Sequence, residues 1–125
     1  MPLPKDLYKG RRVYLSGDTD ATNAARAFER AERLAKDAGA DYVCNPYRHL
    51  SMFARRTEAQ KLRWRLHQLT TGELSVRGGS DYQVLLLLND WNDCKACWHE
   101  VSIAKLCGIE VQELSVLEGL CSVGA

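Results

Sequence analysis

The chain has 125 residues and a mass of 14.1 kDa, enough for one domain of about four or five strands with roughly three or four covering helices, and too little for two conventional cores. Seventeen Lys and Arg stand against sixteen Asp and Glu, a net charge of +1, with 26% charged and 46% hydrophobic residues; this balance excludes a bulk-charge nucleic-acid binder, an acidic tail and a disordered chain. No apolar run approaches a membrane span, no apolar signal core follows Met1, and the five cysteines, an odd number, fit reduced thiols, so a cytoplasmic protein without membrane contact is expected.

Residues 1–10, with two of the prolines, read as a lead-in, leaving a single domain whose core spans about residues 11–114. Arg12-Val13-Tyr14-Leu15-Ser16 is a short β-branched and aromatic run closed by Gly17, a first strand that opens into the loop Gly17-Asp18-Thr19-Asp20. From Ala21 to Ala38 apolar residues such as Ala24, Phe28, Ala31 and Ala35 recur at helical spacing, and Gly39 is the expected stop. Asp41 to Cys44 is a second strand ended by Asn45-Pro46. A second helix is predicted over Ser51 to Leu69, with Ala59, Leu62, Leu66 and Leu69 as its buried stripe.

Tyr82 to Leu88 lacks the alternation of a half-exposed strand and should be the central strand, covered on both faces. A polar loop, Asn89 to Asp93, leads to a helix over Lys95 to Cys107 closed by Gly108, and Ile109 to Leu114 supplies another strand. Strands alternating with helices specify a three-layer α/β sandwich, doubly wound in the flavodoxin or Rossmann manner around a mostly parallel sheet of about four to five strands. In such sheets ligands bind at the carboxyl ends of the strands, which points to the loops after Ser16, Cys44 and Leu88.

One carboxylate stands on an unexpected face. On a helical wheel of residues 95–107, Ala96, Cys97, Ile103, Ala104 and Cys107 all fall within about 60° of Glu100, with Lys95, Ser102 and Lys105 opposite. An ionised glutamate in the middle of an apolar arc must be paired or face a pocket. The bland alternative is a slightly rotated helix with Glu100 at the rim.

The chain resembles the nucleoside 2-deoxyribosyltransferase-like family, most closely its short phage and prophage branch. The matching residues are Val13-Tyr14-Leu15-Ser16-Gly17, then Asn23, Phe28, Ala31, Leu34 and Gly39, Asn45-Pro46, the apolar strand ending at Leu88, Trp91, and Glu100 with Ala104 and Gly108. The resemblance implies cleavage or transfer at the N-glycosidic bond of a nucleoside or nucleotide, without a cofactor or metal, in a homo-oligomer. It makes Glu100 the nucleophile that forms a covalent glycosyl ester and Tyr14 the residue that orients it, a chemistry that suits a carboxylate in an apolar cleft. A leaving base must also be protonated, and Asp93 and Asp90, in the loop before the helix, are the candidate acids. Gly17, Asp18, Asn45, Trp91, Cys94 and Arg55 are the expected substrate contacts. Cys94 stands where relatives often carry a serine, near a helix N-terminus that could cradle a phosphate, whereas Asp18 and Asp20 would repel one.

The sequence also departs from the family. Gln83 occupies the position where relatives carry a catalytic aspartate, and Asp81 lies two residues earlier on the same strand parity. This opens a second reading, a catalytically silent nucleotide-binding module. A third rests on Cys94-Lys95-Ala96-Cys97, a CxxC at a predicted helix start of the kind used in thiol redox sites; no second ligand pair accompanies it for zinc. Residues 47–66 carry six bases (Arg48, Arg55, Arg56, Lys61, Arg63, Arg65) against Glu58, and residues 81–119 carry seven acids against two bases. The basic run reads either as a phosphate or ribose contact near the site or as a solvated helix face. Trp64, off the leucine stripe, reads as an oligomer contact.

Overall fold

The structure is a computed structural model that describes residues 6–53, 56–71, 82–89 and 91–123. Four parallel strands, β1 (Arg12–Ser16), β2 (Tyr42–Cys44), β3 (Val84–Leu87) and β4 (Glu110–Glu113), form one sheet in the order β2-β1-β3-β4. Helices α1 (Ala24–Asp37) and α4 (Leu114–Val123) cover one face, and α2 (Glu58–Thr71) and α3 (Lys95–Leu106) cover the other. The chain is therefore a doubly wound, Rossmann-like α/β sandwich with a parallel sheet. Every residue of β1 and β3 is buried, as strands covered by helices on both faces require; β3 is apolar throughout, and β1 also buries Arg12 and Ser16.

The pleat sorts the side chains into two cores. Val13, Leu15, Val84 and Leu86 join Phe28, Ala31 and Ala35 of α1 and Leu117 of α4. Tyr14, Leu85 and Leu87 point the other way and pack with Leu69 of α2 and Ala104 of α3. Tyr14 and Ser16, two residues apart, thus share the face that meets α2 and α3. From β1 the chain crosses to β2 on one side and, through α2, to β3 on the other, so the crevice where ligands gather in this topology lies beyond Ser16 and Leu87.

Helix stops follow the glycines. Gly39 and Gly108 take φ of +97° and +73°, a left-handed conformation, and the following amides close back onto α1 and α3, Ala40 N to Ala35 O at 3.1 Å and Ile109 N to Ala104 O at 2.8 Å.

Three expectations are corrected. The second helix begins at Glu58, not Ser51: Pro46–Phe53 forms 3-10 turns instead. The start is set by a capping box in which the Gln60 amide donates to Thr57 Oγ1 at 3.2 Å and the Thr57 amide donates to Gln60 Oε1 at 2.9 Å. The lead-in is packed from Tyr8, whose ring is wholly buried, whose amide donates to Ala38 O at 2.7 Å and whose hydroxyl donates to Gln112 Oε1 at 2.6 Å. The core continues past residue 114 into α4, which buries Leu114 and Leu117 against α1.

Candidate active site

Glu100 has no exposed surface. It stands on α3 in a buried stripe with Cys97 and Ala104, while Lys95, Ser102 and Lys105 face solvent, so the wheel placed it correctly. Two donors meet its carboxylate, Ser16 Oγ at 2.8 Å and an Arg65 guanidinium nitrogen at 2.5 Å, both on Oε1. Oε2 has no hydrogen-bond partner. Arg65 is itself only 4% exposed; the same nitrogen also donates to Gly17 O at 3.0 Å and lies 3.8 Å from Cys97 Sγ. Burial works against the Arg65 charge, but the Glu100 carboxylate outweighs it and raises the guanidinium pKa further, so Arg65 is a fixed cation.

Tyr14 is buried beside this pair. Its hydroxyl lies a long 3.4 Å from the Arg65 carbonyl, and the Glu100 carboxylate is close enough to act on it both as a charge and as a hydrogen-bond acceptor. Burial first, and then the negative charge of Glu100, hold the phenol well above its ordinary pKa. Tyr14 therefore stays neutral between Glu100 and the α2 backbone that delivers Arg65, while Ser16 makes the short 2.8 Å hydrogen bond to the carboxylate.

Above Arg65 opens a cleft of about 170 Å³ whose walls include Asp18, Lys61, Asp93 and Cys94. It lies at the carboxyl ends of β1 and β3 and receives the first turn of α3. Gly17 lets this corner close: a Cβ there would meet Leu88 Cδ2 at 2.9 Å and Phe28 at 3.1 Å. Asp18 Oδ1 accepts the Asp20 amide at 2.9 Å, and Lys61 lies 3.8 Å from Asp20 and 3.2 Å from Glu58. Among the described residues lie larger hollows, one of about 300 Å³ by Asn23, Arg26 and Glu118 and one of about 550 Å³ along β4 by Trp91 and Val111. Neither is lined by a buried titratable group, whereas the 170 Å³ cleft is lined by the buried Arg65, and Glu100, which is not among its lining residues, is reached through that Arg65 contact.

Glu100, Tyr14, Gly17, Asp18, Asp93 and Cys94 thus converge on one corner, and two other expected contacts do not. Asn45 Nδ2 donates to Glu32 Oε1 at 3.1 Å and its Oδ1 accepts the Tyr47 amide at 3.0 Å, which makes it a turn brace. Glu32, also held by Lys36 and Arg48, is part of that brace. Trp91 donates to Glu113 Oε1 at 3.2 Å and lines the hollow along β4. Arg55, Asp81 and Asp90 lie outside the described residues. Gln83 sits at the opposite, amino end of β3, its Oε1 accepting the Arg12 amide at 3.0 Å, away from the cleft. Trp64 lies 4.9 Å from the His49 ring.

Arg65 and Ser16 hold the Glu100 carboxylate, and sequence reasoning assigned neither of them to it. Arg65 was grouped with the basic helix face, yet it stands three residues after Leu62 and four before Leu69, on the apolar stripe. Its burial was readable from that spacing. Ser16 carries the same parity signal as Tyr14. Among the described residues no group of three or more His, Cys, Asp or Glu is placed to hold a metal ion, and no helix is long and apolar enough to cross a membrane. Comparison of the chain with protein-family models, with curated proteins and with solved structures returns no match.

Proposed function

We propose that this chain cleaves or transfers the N-glycosidic bond of a nucleoside, with Glu100 as the nucleophile. The observation that carries this reading is the state of the carboxylate: buried at the switch point of the sheet, with Oε1 gripped by Ser16 and Arg65 and Oε2 free. A carboxylate fixed through one oxygen has its other oxygen aimed, which removes orientational freedom before reaction. The resemblance to nucleoside 2-deoxyribosyltransferases supplies the reaction type.

In the first step Oε2 bonds to the anomeric carbon as the carbon–nitrogen bond breaks and the base leaves with its bonding electrons. Asp93, on the cleft wall, donates the proton the base needs. Water or an acceptor base then attacks the same carbon, the proton of the attacking water or ring nitrogen passes to the Asp93 carboxylate, and the carbon–oxygen bond to Glu100 breaks to free the carboxylate. Arg65 must swing off the carboxylate for the sugar to approach, because Glu100 has no exposed surface. That movement also enlarges a cleft that is small for a ligand site. Asp18, Asp20, Glu58 and Asp93 outnumber Lys61, Arg65 and Lys95 around the opening, which favours a nucleoside over a nucleotide.

The test is to incubate wild-type protein and Glu100→Ala with a panel of nucleosides and nucleoside monophosphates and to measure free base. Base release by the wild type alone supports the assignment; equal release by both refutes it. A second reading, a binding module without turnover, is favoured by the Arg65 ion pair, which neutralises the carboxylate in place. It predicts saturable nucleoside binding and no free base.

A further inference from the structure

Cys94 and Cys97 belong to the same corner, and no step of the glycosidic reaction uses the chemistry of either sulfur. Cys94 is the residue at which α3 begins, with extended backbone angles and its carbonyl accepting the Trp98 amide at 3.2 Å. Cys94 lines the cleft beside Asp93, and its sulfur lies 3.9 Å from Gly17 O. Cys97 is one turn further on and fully buried, its sulfur facing the Arg65 guanidinium. Both are free thiols. A three-residue separation at a helix start falls within the Cα spacing that a disulfide tolerates.

The two sulfurs are chemically unequal. The Cys97 thiol draws the Cys94 pKa down to about 7; burial and Asp18 oppose this, while the Cys97 amide and the Arg65 charge assist. The Cys97 thiol is held far above its ordinary value, by Cys94 first and then by burial. A cleft-lining thiol with a partly ionised sulfur beside a buried protonated partner is the arrangement of an attacking and a resolving cysteine.

We propose that Cys94 and Cys97 form a thiol–disulfide exchange site in the wall of the cleft, accepting a small disulfide of the glutathione type and closing to a Cys94–Cys97 disulfide. The Cys94 thiolate attacks one sulfur of the small disulfide, a new sulfur–sulfur bond forms, and the first small thiolate leaves and takes up a proton. Cys97 then gives up its proton and attacks the Cys94 sulfur, expelling the second small thiolate, which is protonated in turn. Two protein thiols are oxidised and one small disulfide is reduced to two thiols. This site is independent of the glycosidic reading, since neither step uses Glu100.

The test uses the whole chain and oxidised glutathione at neutral pH, with thiol alkylation and peptide mapping, and takes the exposed Cys107 as the internal comparator. Wild type is expected to yield a cross-linked 94–97 peptide that dithiothreitol reverses, with Cys94 reacting about tenfold faster than Cys107. Cys97→Ser is expected to accumulate a stable glutathione adduct on Cys94. Should that variant fail to fold, the wild-type cross-link and relative rate decide alone. Adducts confined to Cys107, or Cys94 reacting no faster than Cys107 with no cross-link, overturn the proposal.

Discussion

Arg65 reaches from α2 to within 2.5 Å of the Glu100 carboxylate on α3, and the two side chains are 5% and 0% exposed. Two charges removed from water in this way are held by each other and by few other groups, among them Ser16, the Gly17 carbonyl, Cys97 Sγ and Tyr14, while Arg65 Nε and Glu100 Oε2 have no hydrogen-bond partner. Removing one member leaves the other charged and buried. Arg65→Met is therefore expected to destabilise the protein by about 3–5 kcal/mol, and Arg65→Met with Glu100→Gln by less than the sum of the single effects. A urea-unfolding double-mutant cycle measures the coupling; simple additivity would contradict the pair.

Gly17→Ala tests the tightness of the corner. The added methyl would press on Leu88, at 2.9 Å from its Cδ2 and 3.0 Å from its Cβ, and both flanking strands are buried. A loss of about 1–3 kcal/mol is expected from overpacking, read as a lower denaturant midpoint at unchanged slope.

The start of α2 should depend on Thr57. Its hydroxyl and the Gln60 side chain satisfy one another's backbone amides. Thr57→Ala is expected to cost about 0.5–2 kcal/mol, whereas Thr57→Ser should retain most of the stability. Because α2 carries Arg65, hydrogen exchange in α2 should rise in the alanine variant.

Glu32 gives a pH prediction with a definite sign. It is buried on α1, and burial alone would raise its pKa, but hydrogen bonds from Lys36 and Asn45 and the charge of Arg48 outweigh this and lower it. A lowered folded-state pKa means stability that is present above the unfolded carboxylate pKa, about 4.3, and is lost as pH falls through the folded value. Acidification below about pH 4 should thus destabilise wild type more steeply than Glu32→Gln, in unfolding curves taken at successive pH values. Parallel pH profiles would contradict the brace.

How much of this was legible depended on which residues set each element. The parallel sheet was readable because β3 is a continuous apolar run and strands alternate with helices, and Gly39 and Gly108 mark the helix ends by a conformation that other side chains rarely adopt. Glu100 was readable because a carboxylate interrupts an apolar arc. The α2 boundary was misplaced because Ser51 to Phe53 continues the apolar pattern, and periodicity carries no information about the cap at Thr57. α4 was missed because β4 passes directly into it, from Glu113 to Leu114, with no glycine or proline between. Arg65 was misread because charge suggests solvent, and only a carboxylate on a different helix, 35 residues on, makes its burial tolerable. Asn45 matched a motif that is satisfied here by a turn brace to Glu32.

A nucleophilic Glu100 would form a covalent bond to the sugar during turnover. The direct measurement is an acid quench of wild-type protein during turnover of a released-base substrate, followed by peptide mapping for a glycosyl ester. The account predicts an adduct on the peptide that contains Glu100, absent in Glu100→Gln, with base release lost in the same variant. Base release that persists in Glu100→Gln, or turnover by the wild type with the adduct on another residue, would contradict it.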